Sequence, residues 1–494
     1  MFALKRNSNS YFARLTLLKK LFWLYFLILI FEGALRKWVA PQLSAPLLVI
    51  RDPVCILIIW EAYRTRKWPT RWSLPIAFLV VVIFGIFSLQ ITLGDNSLLV
   101  GLYGLRSYLL PFPVAFIMGE NLADEDLLRL GRCTLWLLLP TCLLAVGQYL
   151  SPSDSFLNRG AYAGGKQIGY VALGVRASGT FSFAIGLVEF ATLAGAFILY
   201  AMVRDKFAKT WLVWASALAL IVTIPTTGQR SLVYQLLAIV LCAALSAMMG
   251  ISQFGKALRI IAPLLIVFFL ASQLPVFNEA MQSMTERFSG AAIAEGGSEQ
   301  AAFLTRTVQP LIDAVDDASS TGNLMGIGLG RGALAVQAFL TGLPEGVTGE
   351  YEFSHELMEM GPVAGGAFWL LKLFLAIIIF GQALARARAG EPLALLIYPL
   401  VFVTLTFALL EQPSLQGFMV ISMAFCIAAA KQPMPVAVPL TSQLQRQQAA
   451  LSRLRLRQIH FQQSRMRRDR PGDLRVNAFG TISESKQKHE SDTI

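Results

Sequence analysis

The sequence is poor in charged residues. Asp, Glu, Lys and Arg make up 15% of the 494 residues, whereas 55% are hydrophobic. A water-soluble protein of this length needs far more polar side chains to cover its core. The shortage of charge therefore argues against a soluble protein and indicates one that lies in a membrane.

Cysteine and histidine are also scarce. The five cysteines fall in or beside apolar segments, so we expect no structural disulfide. With three histidines and no cluster of Cys and His, we expect neither a metal site nor a cofactor. The glycine-rich segment GNLMGIGLG (322–330) lacks the Lys-Ser/Thr pair of a P-loop, so we expect a backbone turn there rather than a nucleotide cradle. No nucleic-acid-binding motif is present, so we expect no nucleic acid partner.

Long apolar segments are what the sequence does contain. Runs near 20 residues recur along the chain, which is the length that crosses the hydrocarbon core of a bilayer. The first run follows Lys19 and Lys20 and has no cleavage site after it, so we interpret it as a retained signal anchor. The runs predict an all-α polytopic membrane protein with about twelve transmembrane helices. Their approximate bounds are 18–34, 43–62, 73–93, 100–118, 133–150, 181–203, 211–227, 231–249, 259–276, 362–383, 393–411 and 415–430.

The distribution of Lys and Arg predicts the orientation. With the N-terminus in the cytoplasm, 30 of the 42 basic residues lie on the cytoplasmic side, as the positive-inside rule requires. The chain then divides into a cytoplasmic N-terminus (1–17), nine spans (18–276), a large outer loop (277–361), three spans (362–430) and a cytoplasmic tail (431–494). We expect the tail to be disordered and to lie on anionic lipid headgroups of a bacterial inner membrane.

The other twelve basic residues oppose this rule, and nine of them are Arg. All but Lys372 lie at the predicted outer face or in the outer half of a span, where an uncompensated charge is costly. Since guanidinium groups bind phosphate with two parallel hydrogen bonds, the set suggests a site for a phosphorylated lipid. The twelve are Arg36, Lys37, Arg51, Arg106, Arg159, Lys166, Arg176, Arg230, Arg287, Arg306, Arg331 and Lys372.

Local ion pairing is the alternative interpretation of these cations. Arg36 has Glu32 nearby, Arg51 has Asp52, and Arg287 has Glu286. Arg106, Arg176 and Arg230, in contrast, have no acid within four residues of the chain.

Several motifs stand at the predicted outer ends of the spans. They are FEGALRKW (31–38), IRDP (50–53), GVRASGTFS (174–182), TTGQRSLVY (226–234), GNLMGIGLGRGA (322–333) and EYEFSHELMEMGPVAGGAF (350–368). In this order they resemble the bacterial O-antigen polymerase/ligase superfamily of membrane glycosyltransferases. The first two motifs are similar to its exopolysaccharide-polymerase branch. The resemblance spans most of residues 20–430.

The resemblance implies a GT-C-type bundle with its large periplasmic loop between the ninth and tenth helices. It also implies metal-independent transfer of a glycan from undecaprenyl pyrophosphate to an acceptor glycan, for exopolysaccharide or O-antigen synthesis. The leaving pyrophosphate then needs preorganised positive charge. By resemblance, Arg176 and Arg230 take this role, Arg230 as a catalytic residue, with Arg306 as a loop candidate. Arg106 and Arg51 are added from their positions in the sequence.

A general base for the acceptor hydroxyl has three candidates. His355 is the one histidine on the predicted outer face, but it lies only four residues before Glu359. In the family, the histidine stands further ahead of the corresponding E-x-G motif, and alignment on Glu359 puts Glu350 at that position. The base is therefore His355, Glu350 or Glu352, and catalysis without a protein base stays open.

A transporter or a lipid-linked glycan flippase is the alternative function. Such proteins also have about twelve helices and internal cations, but they usually consist of two related halves. The sequence shows no such repeat, and its longest loop is off-centre, which favours the enzyme. Polymerase and ligase are not distinguished. A chain-length regulator and other polysaccharide assembly proteins are the expected protein partners.

Overall fold

Apolar helices account for nearly all of the structure, since a helix satisfies its backbone hydrogen bonds without water. The structure is a computed structural model and describes residues 15–94, 96–161, 170–171, 174–204, 207–249, 324–333 and 352–431, with separate positions between 269 and 336. These residues belong to the unit that ends at Lys431. The basic tail, most of the predicted ninth span and most of the outer loop lie outside the described residues.

The described helices follow the apolar segments in order. A two-stranded antiparallel hairpin, β1 (Tyr170–Val171) and β2 (Gly174–Val175), pairs Tyr170 with Val175. The α-helices are α1 (Leu17–Ala34), α2 (Asp52–Arg64), α3 (Ser73–Thr92), α4 (Leu98–Leu109), α5 (Pro111–Asn121), α6 (Asp124–Leu150), α7 (Ala184–Val203), α8 (Thr210–Thr227), α9 (Arg230–Met249), α10 (Glu352–Arg388), α11 (Leu393–Thr406) and α12 (Pro413–Ala430).

Eight helices among the described residues are long and apolar enough to cross a membrane. The chain is therefore a membrane protein built from helices, as predicted. The count of twelve spans and the folded outer loop stay predictions. The eight are Thr70–Thr92, Leu98–Asn121, Asp124–Leu150, Ala184–Val203, Thr210–Thr227, Arg230–Met249, Phe353–Arg388 and Pro413–Ala430.

Helix boundaries differ from the predicted ones at the second, fifth and eleventh spans. The second span, predicted at 43–62, is α-helical only from Asp52, because Pro41 and Pro46 each begin a short 3-10 turn before it. α6 begins at Asp124, well before residue 133. Acidic residues favour a helix N-terminus, and the Asp126 carboxylate accepts a hydrogen bond from the Ala123 N–H at 3.3 Å. α11 ends at Thr406, short of the predicted 411.

α12 is the central helix of the bundle. It packs against α5, α7, α10 and α11, and 89% of its residues are buried. In α9, by contrast, 28% of the 18 most apolar residues are buried, and the others are partly buried or exposed. A helix that is apolar on all sides can occupy either position in a membrane protein.

The helix ends meet at two ends of the bundle. At one end, called here the motif end, the end of α1 lies close to the start of α2. There Arg51 Nε lies 3.1 Å from Glu32 Oε2. At the opposite end, Arg204 follows α7 and its guanidinium lies 2.7 Å from the carboxylate of Glu391, which precedes α11. The sequence motifs are therefore separated from the basic connections of the opposite end.

α10 reverses direction at Gly361, where the backbone has φ 80° and ψ 166°. Lys372 and Glu356 form an ion pair although they are 16 residues apart in sequence. In a straight helix they would be separated by about 24 Å along the axis. A Cβ atom on Gly365 would lie 2.5 Å from the Glu356 carbonyl oxygen. Residues 352–360, called the half-helix below, therefore fold back onto the remainder of α10.

Charged groups inside the bundle have partners. The Lys372–Glu356 pair is fully buried, so Lys372, the one cation of the twelve that is not near the predicted outer face, pairs with an acid. Glu189 in α7 accepts a hydrogen bond from the Gln235 amide of α9 at 3.1 Å. Among the described residues it does not pair with any of the outer-face cations.

Replacing Lys372 by methionine tests the importance of the buried pair. Lys372→Met leaves the Glu356 carboxylate buried without its counter-charge, so the free energy of unfolding in detergent should fall by about 3–5 kcal/mol. Lys372→Met combined with Glu356→Gln should recover most of that loss. Arg388→Gln, at an exposed site near the other end of α10, serves as the control. A single variant as stable as the wild type would contradict the pairing.

Candidate functional site

The carboxylate of Glu359, at the end of the half-helix, binds the glycine-rich segment of the outer loop. Its oxygens accept hydrogen bonds from the Gly330 N–H at 3.0 Å and the Gly332 N–H at 2.6 Å. The Tyr108 hydroxyl of α4 donates a third bond at 3.1 Å. Two backbone amides and a phenol thus satisfy a fully buried acid and join three separate parts of the chain.

Positive φ angles let the glycine-rich segment follow this path. Gly326, Gly328 and Gly330 have φ angles of 72°, 120° and 82°, a region that glycine enters without steric cost. The Ile327 N–H donates to the Met358 carbonyl at 2.7 Å, which anchors the segment to the half-helix. The sequence predicted a backbone turn here rather than a nucleotide cradle, and the described residues 324–333 form turns.

Two amide side chains near the motif end of α3 and α4 fix the same segment. Gln90 donates to the carbonyls of Met325 at 2.6 Å and of Glu359 at 2.7 Å, and its own carbonyl accepts the Leu329 N–H at 2.8 Å. Asn96 donates to the Leu329 carbonyl at 3.1 Å. The segment is therefore held by side chains on both of its sides.

His355 lies one helical turn before Glu359, on the same face of the half-helix. Its Nδ1 atom is 4.0 Å from the carboxylate of Glu411, which lies in the turn between α11 and α12, and both residues are buried. The candidate ligand atoms of His355, Glu359 and Glu411 lie within 4.8 Å of one another. The half-helix and the turn before α12 thus bring an imidazole and two carboxyl groups together in a buried site.

These three side chains are also of the types that bind a divalent metal ion. An imidazole and two carboxylates suit several transition metals. Glu359, however, already accepts hydrogen bonds from Gly330, Gly332 and Tyr108, and these bonds compete with metal coordination. The geometry therefore favours Glu359 as the anchor of the glycine-rich segment.

The motifs that contain Arg176 and Arg230 touch each other. The Ala177 N–H donates to the Thr226 carbonyl at 3.2 Å, which joins the turn before α7 to the end of α8. Gly228 ends α8 in the left-handed conformation (φ 58°), and Arg230 then begins α9. Arg176 and Arg230 are both half-buried. The two residues that the resemblance assigned to the pyrophosphate thus belong to adjoining turns at the motif end.

The FEGALRKW motif holds the turn that follows Arg176. Lys37 donates to the Ser178 hydroxyl and, at 3.3 Å, to the Gly179 carbonyl, while Arg36 donates to the Ser182 hydroxyl at 2.9 Å. A Cβ atom on Gly33 would lie 2.4 Å from the backbone of this turn, so only glycine permits the contact. Burial, together with the neighbouring Arg36, lowers the pKa of Lys37 to about 7.

Arg51 and Arg106 pair with acids. Arg51 is buried, lies beside Glu32 and donates to the Pro413 carbonyl at the start of α12. Arg106 binds both carboxylate oxygens of Asp52, at 2.8 and 3.0 Å. The expected pairing of Arg51 with Asp52 is therefore replaced by Arg51–Glu32 and Arg106–Asp52. Any phosphate bound by these two arginines would compete with a carboxylate.

The structure leaves two of the other predicted site residues undescribed and places the third. Arg306 and Glu350 lie outside the described residues. Glu352 is the first residue of α10.

The sequence analysis did not predict Glu411 and Tyr108 as site residues, and it used Glu359 only as a position for the alignment. The signal that could have found Glu411 is an acid placed between two apolar helices and immediately before a Gln-Pro pair.

α12 connects the two groups of residues at the motif end. Arg51 contacts the carbonyl of Pro413, two residues after Glu411, and the Gln416 amide donates to the Ser107 carbonyl at 3.0 Å, beside Tyr108. The arginine-bearing turns and the His355 cluster therefore belong to one continuous set of contacts. In comparisons with known proteins, no family model, no curated protein and no solved structure matches the chain.

Replacing Gly330 by alanine tests the packing of the glycine-rich segment. The new Cβ would lie 2.3 Å from the Val100 carbonyl oxygen at a φ of +82°, so the segment should shift and the free energy of unfolding should fall by at least about 1–2 kcal/mol. Gly381→Ala in α10 is the matched control, because its Cβ meets open space and it should be neutral or stabilising. Equal unfolding free energies for the two variants would contradict the proposed packing.

Proposed function

We propose that this protein is a membrane glycosyltransferase that polymerises or ligates undecaprenyl-pyrophosphate-linked glycans at the periplasmic face. One observation carries the proposal. The motifs that resemble the O-antigen polymerase/ligase superfamily are far apart in sequence, yet the described ones contact one another at a single end of the bundle. Direct contact between these motifs is what a shared substrate site requires.

The orientation is part of the proposal. Basic residues near the opposite end include Arg64, Arg129, Arg204 and Lys431. By the positive-inside rule that end faces the cytoplasm, so the motif end faces the periplasm. Both termini are then cytoplasmic in the bacterial inner membrane, and twelve spans accommodate this arrangement.

The proposed reaction is an inverting displacement at the anomeric carbon. The oxygen of the acceptor hydroxyl forms a bond to that carbon, and the bond between the carbon and the pyrophosphate oxygen breaks. The undecaprenyl pyrophosphate leaves with the electron pair, and a base takes the proton of the hydroxyl. Positive charge already fixed beside the leaving group lowers the barrier, because no reorganisation is needed as negative charge develops.

Arg176 and Arg230 are our candidates for binding the leaving pyrophosphate. Their turns adjoin through the Ala177–Thr226 bond, and both side chains are half-buried rather than enclosed. Arg51 and Arg106 lie beside Glu32 and Asp52, which supports a structural role for these two cations. Arg306 remains a loop candidate.

His355 is the described residue that best suits the role of base. Glu411 lies beside its Nδ1 atom, and a carboxylate in that position orients an imidazole and stabilises the imidazolium that forms on proton transfer. Glu350 and Glu352 stay as alternatives.

A transporter or lipid-linked glycan flippase is the second candidate, and the half-helix is the observation that favours it. Transporters bind substrates at discontinuous helices, and α10 is interrupted at Gly361. Deletion of the gene in the host separates the functions. Accumulated single lipid-linked repeats support a polymerase, and long chains without attachment to core lipid support a ligase. Repeats retained on the cytoplasmic leaflet would instead establish a flippase.

Substitution of the two arginines tests the pyrophosphate site in the deletion host. Arg176→Ala and Arg230→Ala should each abolish long glycan chains while the protein stays inserted and abundant, because the leaving group loses its counter-charge. Arg159→Ala, an exposed arginine at the same end, should support wild-type chain length. The readouts are gel profiles of surface glycan and immunoblots of membranes. Glycan chains of wild-type length in both variants would show that Arg176 and Arg230 do not bind the leaving pyrophosphate.

Substitution of the candidate bases tests the proton transfer. His355→Ala should reduce the rate of transfer by about two to four orders of magnitude with purified lipid-linked substrate, whereas Glu350→Ala should not. Glu411→Gln should also lower the rate, but by less than His355→Ala, since it removes the carboxylate that orients the imidazole. Unchanged rates in both His355→Ala and Glu350→Ala would exclude a general base at these positions.

A further inference from the structure

A cavity of about 250 Å³ lies at the opposite end of the bundle, away from the sequence motifs. This volume equals that of roughly eight liquid waters. Its walls come from the start of α6, the end of α7, the end of α10, the turn before α11 and the end of α12. The lining residues are Asp124, Leu127, Leu128, Tyr200, Arg204, Phe207, Arg386, Glu391, Leu393 and Ala429.

The cavity carries charges of both signs in equal number. Two guanidinium groups, of Arg204 and Arg386, face two carboxylates, of Asp124 and Glu391, and all four act electrostatically on the phenol of Tyr200. Among the described lining residues, only Arg204 and Glu391 form a direct pair, at 2.7 Å. A simple anion would be attracted by the arginines and repelled by the acids. A ligand that bears both a phosphate and an ammonium group complements all four charges.

The side chain of Arg386, one of the lining residues, has a hydrogen-bond donor without an acceptor among the described residues. Its Nε atom is buried and has no hydrogen-bond partner within the described part of the chain, and the same holds for Gln382 Nε2, one helical turn earlier. A buried donor without an acceptor is destabilising, and more so when the group is charged. A phosphate oxygen is the acceptor that a guanidinium binds most strongly.

The position of the cavity identifies the source of such a ligand. The walls are the ends of membrane helices, and helix ends lie at the level of the lipid headgroups. Leu127, Leu128 and Leu393 also line the cavity and suit the glycerol and acyl portions of a lipid.

We propose that this cavity binds the phosphoethanolamine headgroup of one membrane phospholipid. The phosphate lies against Arg386 and Arg204, and the ammonium group lies against Asp124 and Glu391. The ligand is the lipid rather than free phosphoethanolamine, because the apolar wall adds contacts that the free headgroup cannot make. The site does not depend on the proposed glycosyl transfer at the motif end.

Retention of lipid by the purified protein tests the site. The full chain is reconstituted in vesicles with equal amounts of phosphatidylethanolamine and phosphatidylglycerol, extracted in mild detergent and examined by native mass spectrometry. The wild type should retain one phosphatidylethanolamine in preference to phosphatidylglycerol. Arg386→Gln should reduce this retention about tenfold or more, since one charged hydrogen bond is lost. Arg388→Gln, exposed on the same helix, should retain the lipid as the wild type does.

Several outcomes would overturn the proposal. These are equal retention of the two lipids, retention unchanged in Arg386→Gln, or no retained lipid in the wild type. If Arg386→Gln does not accumulate, Asp124→Asn carries the same test at an exposed position and should reduce the preference for phosphatidylethanolamine. Soluble phosphoethanolamine is then added to delipidated protein in a thermal-shift assay. Protection equal to that by the lipid at the same concentration would exclude the lipid as the specific ligand.

Discussion

The arrangement of the motif end depends on one buried carboxylate, that of Glu359. A charged group in the interior of a membrane protein is tolerated only when hydrogen bonds or counter-charges replace its water. Here Gly330, Gly332 and Tyr108 supply three donors, and a buried acceptor left without a partner would cost about 1–3 kcal/mol. The same bonds bring a loop segment, α4 and the half-helix together. Without the reversal at Gly361, Glu359 would not meet these donors.

Pairing of opposite charges explains the other cations of the motif end. Arg51 lies beside Glu32, Arg106 binds Asp52, and farther inside the bundle Lys372 pairs with Glu356. Each of these pairs joins two helices or two halves of one helix, so it fixes a geometry as well as neutralising a charge. Arg176 and Arg230 lie half-buried in adjoining turns and belong to the motifs that carry the resemblance. For these two reasons the proposal assigns the leaving pyrophosphate to them.

The sequence predicts the membrane class and most helices because hydropathy over a window of residues depends on composition alone. It also predicts that the motifs share one face, since alternating spans bring every second connection to the same side. It misses the half-helix, because Glu352, Glu356 and Glu359 make that segment too polar for a span. It also cannot predict the exchange of partners between Arg51 and Arg106, which depends on how α1, α2 and α4 pack. The sequence does not predict a role for Glu411 for the same reason, since that role depends on its contact with His355 across the bundle.

The two carboxyl groups beside His355 have separate tasks. The carboxylate of Glu359 accepts hydrogen bonds from Gly330, Gly332 and Tyr108, whereas the carboxylate of Glu411 lies 4.0 Å from Nδ1 of His355. An imidazole beside a carboxylate, held against the glycine-rich segment, has the features of the general base that we propose. In that proposal Glu359 fixes the position of the half-helix that carries His355, and Glu411 orients the imidazole.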